Sequence, residues 1–323
     1  MRKMVLKIFV LCLAMVLVMF STGVGIAEDW PSRQVELVAP FNPGGSTDLS
    51  LRALAALLGD AIGGQVYVSN VAGSNGLTGT SYTLNKKPDG YTFVYLGTRP
   101  SLPEIHQSNA PYLSTDLRPV AQLVETAGGI VVRQETPWQT FDELVEFLKQ
   151  NPGTKYTHTG RGNKWHLTSV MLDKEYGLKY VEVPFGGDAE AITALLRGEV
   201  NIGFISLTSA IPQQEAGKIR ILAVMDDKRS VALPNTPILA ETNYPVKNII
   251  SYIGLFCSAK VPDDIVKKMS DAVGECAKNP KLEEDVNKLG LNLVYRPYDE
   301  FAVLVEEMRD TIEPLWKEVG LYQ

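Results

Sequence analysis

Apolar, β-branched runs alternate with stretches of helical periodicity along nearly the whole chain from residue 34 onward, and this alternation restricts the fold more than any other feature. QVELVAP (34–40), QVYVSN (65–70), TFVYLG (92–97), GIVVR (129–133), KYTHTG (155–160), YVEVPF (180–185), VNIGFIS (200–206), IRILAV (219–224) and YIGLFCS (252–258) predict strands. TDLSLRALAALLGDAIG, GLTGTSYTLNKK, FDELVEFLKQNPG, WHLTSVMLDKEYG, AEAITALLRG and DDIVKKMSDAVGECAKN predict the helices between them. Such an order implies crossover connections and an α/β fold with mainly parallel sheets. At 323 residues the chain exceeds what a single core usually supports, so two lobes are expected.

Residues 1–27 are set apart from that pattern. A basic head (Arg2, Lys3, Lys7), an apolar run from Ile8 to Phe20 and a small-residue exit at Gly25 and Ala27 predict a signal peptide cleaved after Ala27. The run also approaches the length of a membrane span, so a retained anchor is the competing reading, and the small-residue exit favours cleavage. Cys12 lies inside the apolar run and is not placed for lipidation. Cys257 and Cys276 remain, and their spacing fits a disulfide or two separately buried thiols.

Composition is that of an ordinary soluble globular protein, 45% hydrophobic and 21% charged. Removing residues 1–27 takes away three cations and no anion, so the formal charge moves from −6 to −9. This excludes nucleic acid as a partner, because its binders need a basic surface. An anion would have to be held locally, by backbone dipoles or a few placed cations.

Several predicted strands end in a small, hydroxyl-rich loop that opens a helix: Asn42 to Asp48, Gly73 to Gly79, Gly160 to Asn163, and Gly186 to Asp188. In open α/β sheets ligands collect beyond the carboxyl ends of strands, where helix N-termini present N–H groups and partial positive charge. Each loop also has a purely structural reading, as a tight turn with an N-cap. Asp48 and Asp188 cap helix starts by default. Arg161 and Lys164 read individually as solvated charges, while His166, in the first turn of its helix, either faces a ligand or organises its loop. No metal-ligand cluster is apparent, no phosphate-cradling loop and no nucleophile elbow occurs, and VAGSNGLTG has the wrong glycine spacing for a dinucleotide. Neither a cofactor nor a catalytic constellation is expected.

WPSRQVELVAPFNPGGSTD, KPDGYTFVYLG, NPGTKYTHTGRGNKWH, VPFGGDAEAITALLRGEVN, KRSVALPNTPILAET, YIGLFCSAKVP and KNPKLEEDVNKLGL, in this order, resemble the solute-binding receptors of tripartite tricarboxylate transporters, also called Bug-type receptors. The resemblance runs from Trp30 almost to the end. It implies a two-lobed, type II periplasmic-binding-protein-like fold with ligand held between the lobes. The first lobe would comprise residues 28–127 plus 252–323 and the second 128–251, with crossings near Ala127 to Ile130 and Ile250 to Ile253. It further implies an exported, monomeric receptor that captures a small organic carboxylate and delivers it to a membrane permease. A hydrolase-like exported enzyme and a ligand-sensing receptor are the alternatives.

Carried over residue by residue, the resemblance assigns ligand contacts to Phe41, Gly44, Gly45, Ser46 and Thr47, to Ser74, Asn75 and Gly76, and to Gly97 and Thr98 in the first lobe. In the second lobe it assigns Gly160, Gly162, Asn163 and His166, with Arg161 beside them, then Phe185, Gly186 and Gly187, and Ser206. The sequence departs from the family pattern at Gly186, where a lysine is usual, and at Asp188, where a glycine is usual. A second carboxylate at the far end of the ligand then depends on Arg161 or Lys164 for its charge, and Asp188 would suit an amino or hydroxyl group.

Overall fold

A computed structural model describes residues 30–320 apart from 107, 108 and 231, so the expected leader lies outside the described residues. The chain begins β1 (Val35–Ala39), α1 (Ser46–Ile62), β2 (Val66–Asn70), α2 (Leu77–Leu84), β3 (Thr92–Gly97), two single turns α3 (Thr98–Ser101) and α4 (Pro103–His106), and β4 (Leu117–Glu125). It continues as β5 (Gly128–Arg133), α5 (Phe141–Gln150), β6 (Lys155–His158), α6 (Lys164–Tyr176), β7 (Val181–Glu182), α7 (Asp188–Leu196), β8 (Ile202–Ser206), α8 (Leu207–Glu215) and β9 (Ile219–Met225). It closes with β10 (Tyr252–Ser258), α9 (Asp263–Ala277), α10 (Pro280–Lys288), β11 (Asn292–Pro297) and α11 (Tyr298–Glu318).

These strands form two sheets, β11-β4-β10-β3-β1-β2 and β7-β6-β8-β5-β9. β1 pairs in parallel with β2 and β3, and β6 with β7 and β8, as helical crossovers require. Strands next to the passages between sheets run antiparallel: β10 against β3 and β4, β11 against β4, and β5 against β8 and β9. Both sheets are therefore mixed where the alternation suggests mainly parallel ones. A chain that leaves one lobe through β4 and returns through β10 must re-enter in the opposite sense.

Both faces of each sheet are covered, which explains the nearly continuous apolar runs. Leu37 and Tyr95 point to one face of the larger sheet and Val38 and Val94 to the other, every one fully buried. Ile130 and Phe204 do the same on one face of the smaller sheet, with Val131 and Ile205 opposite. Cys257 and Cys276 lie in the first of these cores as free thiols, pushed up to about 12 and about 11 by burial.

The two passages run side by side. Thr126 N–H, just beyond β4, donates to Ser251 O at 3.0 Å, just before β10. Gly97 at the carboxyl end of β3 faces Ile253 at the start of β10, and Ser206 at the carboxyl end of β8 faces Gly128 at the start of β5. The carboxyl edges of both parallel units thus border the passages.

Two further contacts tie the lobes, each with a glycine in the left-handed region. A Cβ on Gly162 (φ 76°) would stand 2.1 Å from the Trp316 ring, and one on Gly290 (φ 69°) would stand 2.3 Å from Thr208 Oγ1. Trp316 Nε1 donates to Gly162 O at 3.0 Å, and Thr208 Oγ1 donates to Gly290 O at 2.8 Å. α11 also shares an apolar cluster with α6, where Leu167 packs with Ile312, Leu315 and Trp316.

Candidate functional site

Because β1, β2 and β3 are adjacent and parallel, the loops after Ala39, Asn70 and Gly97 emerge along one edge. Gly44, Gly45 and Ser46 are exposed, and Gly45, extended at φ −76° and ψ 164°, caps α1 without a side chain. A helix of 17 residues thus presents first-turn N–H groups with no side-chain acceptor. The loop is braced from beneath by Asp48, which is 1% exposed. Its carboxylate accepts from Gly44 N at 2.9 Å, Asn70 Nδ2 at 2.8 Å and Arg52 Nε at 3.1 Å, while Asn70 Nδ2 also reaches Phe41 O at 3.1 Å. Burial alone would raise the Asp48 pKa, but hydrogen bonds from Arg52, Gly44 and Asn70 outweigh it and hold the carboxyl below its ordinary range.

Ser74 and Asn75 take left-handed backbone angles, φ 45° and 53°, and lead into Gly76. A Cβ on Gly76 would lie 3.2 Å from the Pro100 ring and 3.4 Å from the Phe41 ring, so the three loops touch. Thr98 adds a buried hydroxyl, Oγ1, with no hydrogen-bond partner. The structure therefore gathers Phe41, Gly44–Thr47, Ser74–Gly76, Gly97 and Thr98 in one place.

In the second lobe the loop after β6 is bound to itself. Asn163 Oδ1 caps α6 by accepting from His166 N at 3.0 Å, and Gly162 N donates to His166 Nδ1 at 2.9 Å. With its carbonyl taken by Trp316, Gly162 has both backbone groups engaged within the protein. His166 is 2% exposed, and of its two expected roles the geometry matches loop organisation. Gly160 N donates to His158 Nδ1 at 3.1 Å. Glu182 Oε1 lies 2.8 Å from His158 Nε2, 3.1 Å from Arg161 Nε and 3.9 Å from His166 Nε2. Burial lowers the pKa of both imidazoles, that of His166 to about 4 with His158 adding to the effect.

His158, His166 and Glu182 bring three metal-type ligand atoms within 4.8 Å of one another, a grouping hidden in the sequence because it spans three elements. Their hydrogen bonds argue against an ion. Both Nδ1 atoms accept backbone N–H groups, so both Nε2 atoms carry the proton and point it at Glu182. Placing a cation on Nε2 would force a proton onto Nδ1, against a backbone donor.

Phe185 and Gly187 are half-buried and Gly186 is exposed. Ser206 Oγ and Ser209 Oγ both donate to Asp188 Oδ2, leaving Asp188 Oδ1 buried without a partner. Neither cation expected to serve the far end of a ligand is free: Arg161 pairs with Glu182, and Lys164 is buried at the passage, where its Nζ donates to Thr126 O at 3.4 Å. Desolvation brings Lys164 down to about 8. The residue that sequence reasoning missed is Arg99, directly after Thr98. Its guanidinium stands 5.7 Å from the Trp316 ring centroid. Its position one step past a strand's carboxyl end was the available signal.

Two α/β lobes joined by paired passages, with the carboxyl edges of both parallel units beside those passages, define a periplasmic-binding-protein architecture. The chain belongs to the tripartite tricarboxylate transporter receptor family, whose profile matches residues 51–321. It is 30% identical to the protein BugT of Bordetella pertussis over 223 residues, 68% of either chain. A TctC solute-binding protein from Polaromonas, solved without ligand, superposes with a TM-score of 0.82 at 26% identity, over 90% of this chain and 99% of that one. An R. palustris protein solved with adipate does so at 0.71 and 27%, over the same shares. The Polaromonas protein is a solute-binding protein and the family is one of transporter receptors, which makes the chain a binding receptor.

Proposed function

We propose that the protein is an exported receptor that captures a small organic carboxylate between its lobes and hands it to a tripartite tricarboxylate-type permease. The observation that carries this reading is the bare start of α1, braced by Asp48 and joined by the Ser74–Gly76 loop and the unpartnered Thr98 hydroxyl. Backbone N–H groups and a helix dipole suit a carboxylate, and need no excess of surface cations. Adipate in a relative of the same fold is consistent with that choice. Lobe one would be residues 28–127 plus 252–323 and lobe two 128–251, with ligand drawing the lobes together by shifting a population toward the closed form. Export through the leader at 1–27 would place it outside the cytoplasm.

A thermal-shift panel of mono-, di- and tricarboxylates tests the reading, with mass spectrometry of each compound after incubation. Stabilisation by a carboxylate recovered unchanged is expected. Absence of any shift, with an ester or amide consumed instead, would favour an enzyme.

A further inference from the structure

Among the described residues, the other arginines have their guanidinium groups engaged. Arg33, Arg52, Arg118, Arg133, Arg161, Arg197, Arg229, Arg296 and Arg309 pair with carboxylates, and Arg220 donates to backbone carbonyls. Arg99 has neither an ion pair nor a hydrogen bond, and its one contact of this kind is the Trp316 ring. Its side chain is exposed to solvent, yet surrounding protein desolvates the charge enough to lower its pKa. Both hold for a group lining a concave wall. A guanidinium left there without a counter-ion is available to an anionic group that a ligand brings.

Direction matters too. Pro100 faces Gly76 and Phe41, on the side of the α1 cradle, whereas Arg99 faces Trp316, whose indole is bonded to Gly162 of the other lobe. The guanidinium therefore sits beside the seam between lobes.

We infer that Arg99 is a specificity-determining residue that binds a second anionic group of the ligand, the role that Arg161 and Lys164 do not fill. This rests on the proposed carboxylate-receptor reading. A guanidinium meets a carboxylate through two parallel N–H···O bonds, and closure of the seam would strengthen them by excluding water.

The test is calorimetric titration of the full mature protein with three six-carbon probes: adipate, hexanoate and 6-aminohexanoate. Wild type should prefer adipate to hexanoate and to 6-aminohexanoate. Arg99→Met should weaken adipate roughly 10- to 100-fold and leave hexanoate unchanged. Arg99→Lys should recover only part of the loss, because it keeps the charge but not the fork. The melting temperature of ligand-free Arg99→Met should equal or exceed that of wild type, a result that a merely structural residue would not give. Unchanged adipate affinity, or equal weakening of adipate and hexanoate, overturns the assignment. Preference of wild type for 6-aminohexanoate would do the same and transfer selection to Asp188. If no carboxylate of the wider panel binds wild type, the receptor reading itself fails, separately from Arg99.

Discussion

Gly45→Val separates binding from folding more sharply than any other change at the cradle. The ideal Cβ at this position would have nothing nearer than Asn42 O at 4.0 Å, and the backbone is extended, which a β-branched residue adopts without strain. Losing unfolded-state freedom stabilises by about 0.4–1 kcal/mol, while the poorer N-cap preference of valine costs a similar amount. The net change in stability should lie within about 1 kcal/mol. Binding is another matter, because the new methyls would occupy the space in front of the α1 amides where the proposed carboxylate would sit. A ligand at a hundredfold excess over Kd stabilises the wild type by about 2.7 kcal/mol, or roughly 4 °C in Tm for a chain of this size. Differential scanning fluorimetry with and without a saturating carboxylate should show that shift in wild type and none in Gly45→Val. A variant that keeps the shift would mean that the helix start is not the anchor.

Gly162→Ala should lose about 2–4 kcal/mol in urea denaturation, from the left-handed backbone and from collision with Trp316. Asp48→Ala should lose about 1–3 kcal/mol by stranding the partners of a buried carboxylate, and should weaken carboxylate binding in the same titrations that leave its fold detectable by circular dichroism. Stability should also fall as pH drops from 6.5 toward about 4. Over that range unfolded histidines take up protons that His158 and His166 do not accept in the folded protein. Denaturation midpoints for His166→Gln should fall less steeply over the same interval.

Much of the architecture was legible because its strands are buried on both faces and its helices start at small or capping residues; TFVYLG and YIGLFCS match β3 and β10 residue for residue. β4 escaped because Pro119 interrupts its apolar run. The proline is accommodated opposite Phe256, beside a shift in register, where a missing N–H is tolerated. β11 escaped because all six of its residues are half-buried, so no alternation marks it. At the site, glycine-rich loops announced themselves one by one, but which groups stay free was invisible in one dimension. His166 and Gly162 share a hydrogen bond four residues apart, Glu182 claims Arg161 from another strand, and Trp316 arrives from the last helix. Arg99 draws its meaning from the partners it lacks.

The indole of Trp316 meets the opposite lobe at the Gly162 carbonyl, to which it donates, in the room that glycine leaves, and beside Leu167. Any change in the angle between the halves alters the polarity around that ring. The remaining tryptophans, Trp30, Trp138 and Trp165, each pack within their own half or its neighbouring loop. Intrinsic fluorescence, with Trp316→Phe as the blank, would consequently read hinge motion without an added dye.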